Sequence, residues 1–373
     1  MKVKYLEFEN FRNLENNKVY AHENTNVIFG ENAQGKTNLL ECIWLFCGGH
    51  SFRGSAEKEL VKFGEKFFKI KLTFDGQERE QNAEIRYMGG KKEVYINGVK
   101  KKSGAELIER FSCVVFSPEH LSLVKAGPGK RRKFLDGALC QQKLKYAMYF
   151  SKYNQVLNQR NALLKDINRH PELKSTLEIW DDNLSMLGAY IIQQRIMYVK
   201  KLKENAQYFH SGISEEKEIL DIEYVSTIKD IDVENSEILE NLDYIRDKFL
   251  KSLRDNLKDD LYSGFTTVGP HRDDINILIN GMKAKNFGSQ GQQRSAVLSL
   301  KLSEANLLSE IHGEKPVLLL DDVLSELDSK RQSYLLNKID DYQVFITCCE
   351  KSNKELLKKG KVFSVANGKV TSE

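Results

Sequence analysis

The sequence predicts an α/β fold assembled from two distant parts of the chain, with a helical arm inserted between them. Three observations carry this reading. Residues 27–46 (VIFGENAQGKTNLLECIWLF) run from an apolar strand through a glycine-bearing loop into a helix. Far downstream, the apolar residues Val317, Leu318, Leu319 and Leu320 end in two acids, Asp321 and Asp322. Between these segments, from Lys130 to about Tyr208, the sequence becomes long, polar and helical.

The loop is the most informative stretch. Residues 30–37 read GENAQGKT, which fits G-x-x-x-x-G-K-[ST], the phosphate-binding P-loop. Gly30 and Gly35 let the backbone curl so that successive N–H groups face inward as an anion nest. Lys36 adds a point charge for β- and γ-phosphates, and the Thr37 hydroxyl is suited to Mg²⁺. Glu31, Asn32, Ala33, Gln34 and Asn38 complete the candidate nucleotide-binding set. Val27, Ile28 and Phe29 supply the strand before the loop. Leu39, Leu40, Ile43, Trp44 and Cys47 recur at helical spacing until Gly48 and Gly49. The helix N-terminus then directs its dipole at the phosphates.

Length and composition bound the answer. The 373 residues suffice for two or three domains, and 40% hydrophobic with 29% charged residues describes a well-solvated globular chain. No apolar run approaches a membrane span, and the charged, alternating start MKVKYLEFENF does not read as a signal peptide, so a soluble cytosolic protein is expected. The six cysteines form no C-x-x-C pair and read as buried reduced thiols. A net charge of +4 permits nucleic-acid binding without arguing for it.

In chain order, residues 2–8 read as an opening strand whose alternation breaks phase, and Phe11-Arg12-Asn13 as a turn toward the P-loop strand. Strands at 67–74, 83–88 and 94–96, with turns at Asp75-Gly76, Gly89-Gly90 and Asn97-Gly98, predict an antiparallel β-layer. Residues 112–116 read as a short buried strand. Gly127-Pro128-Gly129 then breaks the pattern and opens the arm, which is interrupted near His170-Pro171. A strand-like piece at 222–225 and a helix at 236–261 close it. No sustained heptad series predicts a long coiled coil. The run Lys130-Arg131-Arg132-Lys133 reads either as a solvated helix end or as a phosphate contact to nucleotide or nucleic acid.

After the arm the α/β pattern returns. The polar loop Gly269-Pro270-His271-Arg272-Asp273-Asp274 is expected beside the nucleotide site, before a strand at 275–279 and a hairpin turn at Asn280-Gly281. A Gly-Ser-Gln-Gly-Gln-Gln run opens another helix. The strand ending in Asp321 fits the Walker B pattern, which delivers that carboxylate to Mg²⁺. The expected domains are 1–126 and 262–373, which form one ATPase head, and 127–261, the arm. Strands at 344–347 and 362–365 complete the head.

The P-loop, Ser289-Gln290-Gly291-Gln292, the acids Asp321 and Asp322, and Ser325-Glu326-Leu327-Asp328 stand in the order of an ABC-type ATPase head. Ser289 to Gln292 resemble that class's signature loop, with Gln290 in place of the first glycine. Ser325 to Asp328 resemble its D-loop. The opening NFR, GENAQGKTNLLE, GPHRDD, GSQGQQRS and LLLDDVLSELD together resemble the RecF family, bacterial recombination-repair ATPases related to the heads of SMC and Rad50 proteins.

The resemblance implies an ATP-dependent homodimer. ATP and Mg²⁺ would sit on one P-loop, with Arg12 counted in the nucleotide-binding set. The partner's Ser289 loop would cover the γ-phosphate. Lys36 and Asp322 take the catalytic roles, Asp322 by orienting the attacking water. It is one carbon shorter than the usual Glu, which implies slow hydrolysis. Thr347 stands near the place of a switch histidine. The resemblance further implies binding to duplex and to gapped or junction DNA, and loading of RecA with RecO and RecR. The rival readings lose on visible features. A transporter ATPase subunit has no use for the arm, an SMC-like tether needs a far longer coiled coil, and a nuclease needs an acidic metal-binding domain after the head.

Overall fold

The computed structural model describes residues 1–373 apart from 49, 78, 109, 168, 232–238, 350–359 and 373. They form two compact units. One contains Met1–Ser122, Phe209–Glu216 and Gln293–Glu373, and the other contains Leu123–Tyr208 and Lys217–Gln292.

The first unit joins both ends of the chain through one sheet. Its strands run in the order β15 (Lys369–Ser372), β14 (Gly360–Ala366), β3 (Thr25–Phe29), β13 (Val344–Cys348), β12 (Val317–Asp321), β8 (Cys113–Phe116). All pairs are parallel except β14 with β15. The sequence explains why: β8, β12 and β13 are buried at every position, as parallel strands covered on both faces require. Register aligns the carboxyl ends, with Ile28 opposite Thr347 and Thr347 opposite Asp321. Helix α1 (Lys36–Trp44) leaves β3 at that end, and α9 (Gln290–His312) precedes β12.

A second, antiparallel sheet orders β2 (Asn17–Tyr20), β1 (Lys2–Glu9), β4 (Phe67–Gly76), β5 (Arg79–Met88), β6 (Lys91–Ile96) and β7 (Val99–Lys101). The broken alternation of the opening strand has a cause: the register with β4 shifts between Val3 and Tyr5, a bulge that lets Val3, Leu6 and Phe8 all face inward. The turn expected at Asp75-Gly76 lies further on. β4 continues to Gly76, which pairs with Arg79, and Gln77 adopts φ 53°. Leu6, Phe8, Phe68, Ile70 and Leu72 share one core with Leu39, Leu40 and Ile43 of α1. Leu298, Leu302 and Leu308 of α9 form another with Leu318, Leu320 and Ile346.

The second unit is mainly helical: α3 (Pro128–Gln142), α4 (Leu144–Ile167), most of α5 (Leu177–Ser214), α6 (Leu242–Asp255) and α7 (Leu257–Ser263). The expected break at His170-Pro171 holds a short 3₁₀ turn, Pro171–Thr176. The expected helix start at Ser236 lies outside the described residues. The unit also holds residues 262–292, which the sequence assigned to the head. Strand β10 (Asp274–Ile279) pairs along its whole length with β9 (Leu220–Val225) and turns into β11 (Met282–Lys283). Periodicity showed the strand and its hairpin but not its partner.

The GPHRDD loop, expected beside the nucleotide site, is committed within this unit. His271 Nε2 donates to the Thr266 carbonyl at 3.0 Å, so Nδ1 accepts from the Tyr153 hydroxyl at 2.7 Å. Asp273 accepts from the Tyr224 hydroxyl at 2.5 Å and from both N and Oγ1 of Thr227 at 2.7 Å. Arg195, 1% exposed, grips Asp136 through two bonds of 2.9 Å and donates to the Pro270 carbonyl. The buried Arg160 joins Asp181, Asp260 and Thr266.

Burial holds the His271 pKa down at about 4 from its usual 6.5. The folded state therefore binds fewer protons than the unfolded chain. The contribution is complete above pH 6.5 and is lost as pH falls toward 4. Between pH 7 and pH 4.5 the wild type should lose about 2 to 3 kcal/mol more than His271→Gln, read by urea unfolding at both pH values. Equal losses in the two proteins would contradict the assignment.

Candidate nucleotide-binding site

The loop after β3 takes its shape from close backbone approach. A Cβ on Gly30 would stand 2.3 Å from the Val365 carbonyl oxygen, so glycine is required there. Gly35, at φ 117°, caps α1, and a Cβ on it would meet Asn13 and Leu14 at 2.9 Å. Ala33 carries φ 64° at the exposed crest. The loop is tied down by polar side chains. Gln34 accepts from the Asn367 N–H at 2.5 Å, and Asn38 donates to Asn13 at 2.8 Å and accepts from Arg53 at 3.0 Å. Lys36 is 7% exposed, with Nζ donating to the carbonyls of Gly30 at 2.5 Å and Glu31 at 3.0 Å. Cys349 lies 3.3 Å from that ammonium and 3.0 Å from Asn32 Oδ1. Glu31 and Asn32 are exposed at the loop's rim.

The Thr37 hydroxyl lies 2.8 Å from Oδ1 and 3.1 Å from Oδ2 of Asp321, although 284 positions separate the two residues. Thr347 donates to the same Oδ1 at 3.0 Å. Burial raises the Asp321 pKa, the two hydroxyls oppose that rise, and neighbouring Asp322 adds to it. Asp322 adopts φ 51° and is half-buried; its N–H donates to Thr347 Oγ1 at 2.8 Å. Ser325 Oγ donates to the Asp322 carbonyl at 2.8 Å and lies 3.2 Å from Oδ1. The hard oxygens of Thr37 and Asp321 suit Mg²⁺. Among the described residues no cluster of three or more His, Cys, Asp or Glu could hold a metal ion. With Thr37 and Asp321 as its protein ligands, an ion here would take the others from phosphate and water, as Mg²⁺ does.

Arg12 is held by protein partners in this structure. At φ 52° it turns its guanidinium onto Glu41 of α1, with Nε–Oε2 at 2.9 Å and Nη2–Oε1 at 3.1 Å. It also donates to Ser55 Oγ at 2.7 Å and to the Glu59 carbonyl at 3.0 Å. Glu41 is wholly buried and is also bonded by Ser51. Nothing in the helical spacing marked Glu41 as an anchor, since its position looked like one more polar helix residue.

The remaining candidates divide between the units. Ser289 and Gln292 make a reciprocal cap on α9: Ser289 Oγ accepts from the Gln292 N–H at 3.2 Å, and Gln292 Oε1 accepts from the Ser289 N–H at 2.8 Å. Ser289 and Gln290 are exposed, Gly291 and Gln292 half-buried, and Gln292 also reaches Glu218 at 2.9 Å. Asp328 caps α10 (Ser329–Lys338), accepting from the Arg331 N–H at 2.9 Å. This bond holds its pKa low. In the Lys130–Lys133 run, Arg131 is buried and pairs with both oxygens of Asp274 at 2.7 Å. Arg132 donates to the Asp273 carbonyl at 2.8 Å, while Lys130 and Lys133 lie at the surface. The cluster therefore splits into two structural arginines and two surface lysines.

A profile of the RecF/RecN/SMC N terminal domain family matches residues 2–371. A protein named "DNA replication and repair protein RecF" from Clostridium novyi (strain NT) is 42% identical over 348 residues, covering 93% of this chain and 92% of its own. This chain belongs to the RecF family. A RecF of Caldanaerobacter subterraneus subsp. tengcongensis is 44% identical over 359 residues, covering 95% and 96% of the two chains. A solved structure described as the recombination mediator protein RecF-ATP in the RecFOR pathway superposes with a TM-score of 0.91 at 41% identity, over 100% and 97% of the chains. The Smc head of Pyrococcus furiosus, at 16% identity and a TM-score of 0.56 over 100% and 96%, shares the fold. The expected ABC-type ATPase head with an inserted helical arm is thus the fold of this RecF-family chain.

The Arg12–Glu41 pair yields a test. Arg12→Ala leaves a buried carboxylate without its cation and should cost about 3–5 kcal/mol of stability. Urea unfolding at pH 7 reads it; a loss below about 1 kcal/mol, the range of surface pairs, would contradict the structural role.

Proposed function

We propose that this protein is a slow ATPase whose nucleotide sites are completed between two copies of the chain. In this reading the ATP-bound dimer holds gapped or junction DNA and duplex in recombinational repair. It works in the cytoplasm with RecR and RecO to load RecA on single strands. The observation that carries the ATPase is the 2.8 Å contact of Thr37 with Asp321 at the aligned ends of β3 and β12. It joins P-loop and Walker B into one locus. The repair role is supported by family membership and by the names of the relatives. Among the described residues, no helix is long and apolar enough to cross a membrane.

Each residue has a definite task in this reading. The curled backbone at Gly30–Thr37 and the α1 dipole bind phosphate oxygens, and Lys36 neutralises the β- and γ-groups. Thr37 and Asp321 would hold Mg²⁺, which supplies charge neutralisation at the transferred phosphoryl group. Asp322 orients water, and its short side chain fits a slow reaction. The capped end of α9 brings Ser289, Gln290, Gly291 and Gln292 to the partner's γ-phosphate. Ser325 and Asp328 form the D-loop beside the catalytic carboxylate. Lys130 and Lys133, the exposed members of the basic run, would meet DNA phosphate. The domain scheme proposed is a head from both chain ends and an arm from the middle.

Ser289→Arg separates a composite site from a self-contained one. In either case the lost cap costs about 1 kcal/mol of stability. In the composite reading the variant binds ATP on its own P-loop and does not hydrolyse it, and Lys36→Met protein alone is likewise inactive. Mixing the two pairs an intact P-loop with an intact signature, so phosphate release returns in part. Wild-type hydrolysis by Ser289→Arg on its own would contradict completion in trans.

A further inference from the structure

We infer that Thr347 is a positioning residue that sets both carboxylates of the Asp321–Asp322 pair through one hydroxyl, an inference that rests on the ATPase reading above. Thr347 is 1% exposed and sits directly opposite Asp321 in the parallel register of β12 and β13. Its hydroxyl has one hydrogen to give, and that hydrogen goes to Asp321 Oδ1 at 3.0 Å. Its lone pairs are then available to the Asp322 N–H, which donates to it at 2.8 Å.

The two bonds do different work. The first fixes the rotamer of the proposed metal-binding carboxylate. Thr37 also bonds Asp321, but its hydroxyl is assigned to Mg²⁺, which leaves Thr347 as the lasting anchor. The second bond holds the backbone of Asp322 in the left-handed region, φ 51°, a conformation costly to a non-glycine residue. That backbone turn aims the proposed water-orienting carboxylate. Ser325 holds the same residue from the other side, at its carbonyl and Oδ1. The β-branch adds stiffness: it limits χ1, so the hydroxyl keeps one direction. Valine copies this shape without the hydroxyl, and serine keeps the hydroxyl without the methyl.

The test compares Thr347→Val, Thr347→Ser and wild type in three measurements. These are steady-state ATP hydrolysis, ATP affinity, and Mn²⁺ affinity by electron paramagnetic resonance of the free ion in the presence of ATP. Loss of a partner in the shell around a metal ligand typically costs about 10–100-fold in metal affinity or activity. Thr347→Val should therefore lose about tenfold or more in kcat and weaken Mn²⁺ binding. Its metal-free ATP affinity should stay near that of wild type, since the bonds of the Thr347 hydroxyl go to Asp321 and Asp322. Thr347→Ser should recover most of kcat and Mn²⁺ affinity. Wild-type kcat and Mn²⁺ affinity in the Val variant overturn the inference, as does a Ser variant as impaired as Val. If Thr347→Val does not fold, Thr347→Ala is read by the same criteria. Failure of both to fold assigns Thr347 to stability alone and also overturns the inference. A wild type that binds Mn²⁺–ATP without hydrolysing it would sink the ATPase reading instead, and Mn²⁺ affinity would still judge Thr347.

Discussion

Parallel pairing of β3 with β13, and of β13 with β12, aligns three carboxyl ends, and the chemistry of the first unit depends on that alignment. The central strands β12 and β13 are buried at every position, and their register keeps the polar Asp321 and Thr347 side by side at the carboxyl ends. The P-loop leaves one strand end and the paired acids leave another, so fixing the register fixes the distance from Thr37 to Asp321. Thr347, on the strand between them, then falls opposite Asp321. Both ends of the chain are required, which makes folding of this unit a long-range event with a high entropic cost before any contact is rewarded.

The second unit solves a different problem. Its helices bury three arginines, Arg131, Arg160 and Arg195, each matched to carboxylates with good geometry. Such pairs add little net stability over an apolar core, but breaking one strands its partner. They link α3 to β10, α3 to α5, and α4 to α5 and α7. Among the described residues, Arg160 Nη2 has no hydrogen-bond partner, while its Nε and Nη1 are bonded to Asp181, Asp260 and Thr266. The GPHRDD loop, rich in groups that look catalytic, is consumed by this network and fixes β10 to the helices.

Much of the first unit was legible in the sequence because local chemistry is specific there. Gly30 and Gly35 could be read as necessary before the Val365 carbonyl and Asn13 were known to crowd them. The apolar run before Asp321 gave the buried strand, and Asn97-Gly98 and Asn280-Gly281 gave hairpins. What stayed hidden depends on tertiary partners. Nothing local in the sequence showed that Arg12 pairs with the buried Glu41. Arg131 read as part of a basic surface, whereas Asp274 lies 143 positions away in sequence and takes up its charge. The role of Thr347 follows from strand register, which no local pattern encodes. That β10 pairs backward with β9, so that residues 262–292 group with the second unit, is likewise a tertiary fact that no local pattern encodes.

Completion of the nucleotide site by a second copy of the chain is the central claim, and sedimentation velocity tests it most directly. Wild-type protein is run with no nucleotide, with ATP, and with ATP and Mg²⁺, while Lys36→Met serves as the control that lacks the phosphate cation. The account predicts a monomer without nucleotide, a dimer with ATP and Mg²⁺, and a monomer throughout for Lys36→Met. A wild-type chain that binds ATP, shown by equilibrium dialysis on the same sample, yet sediments as a monomer at saturation would contradict it.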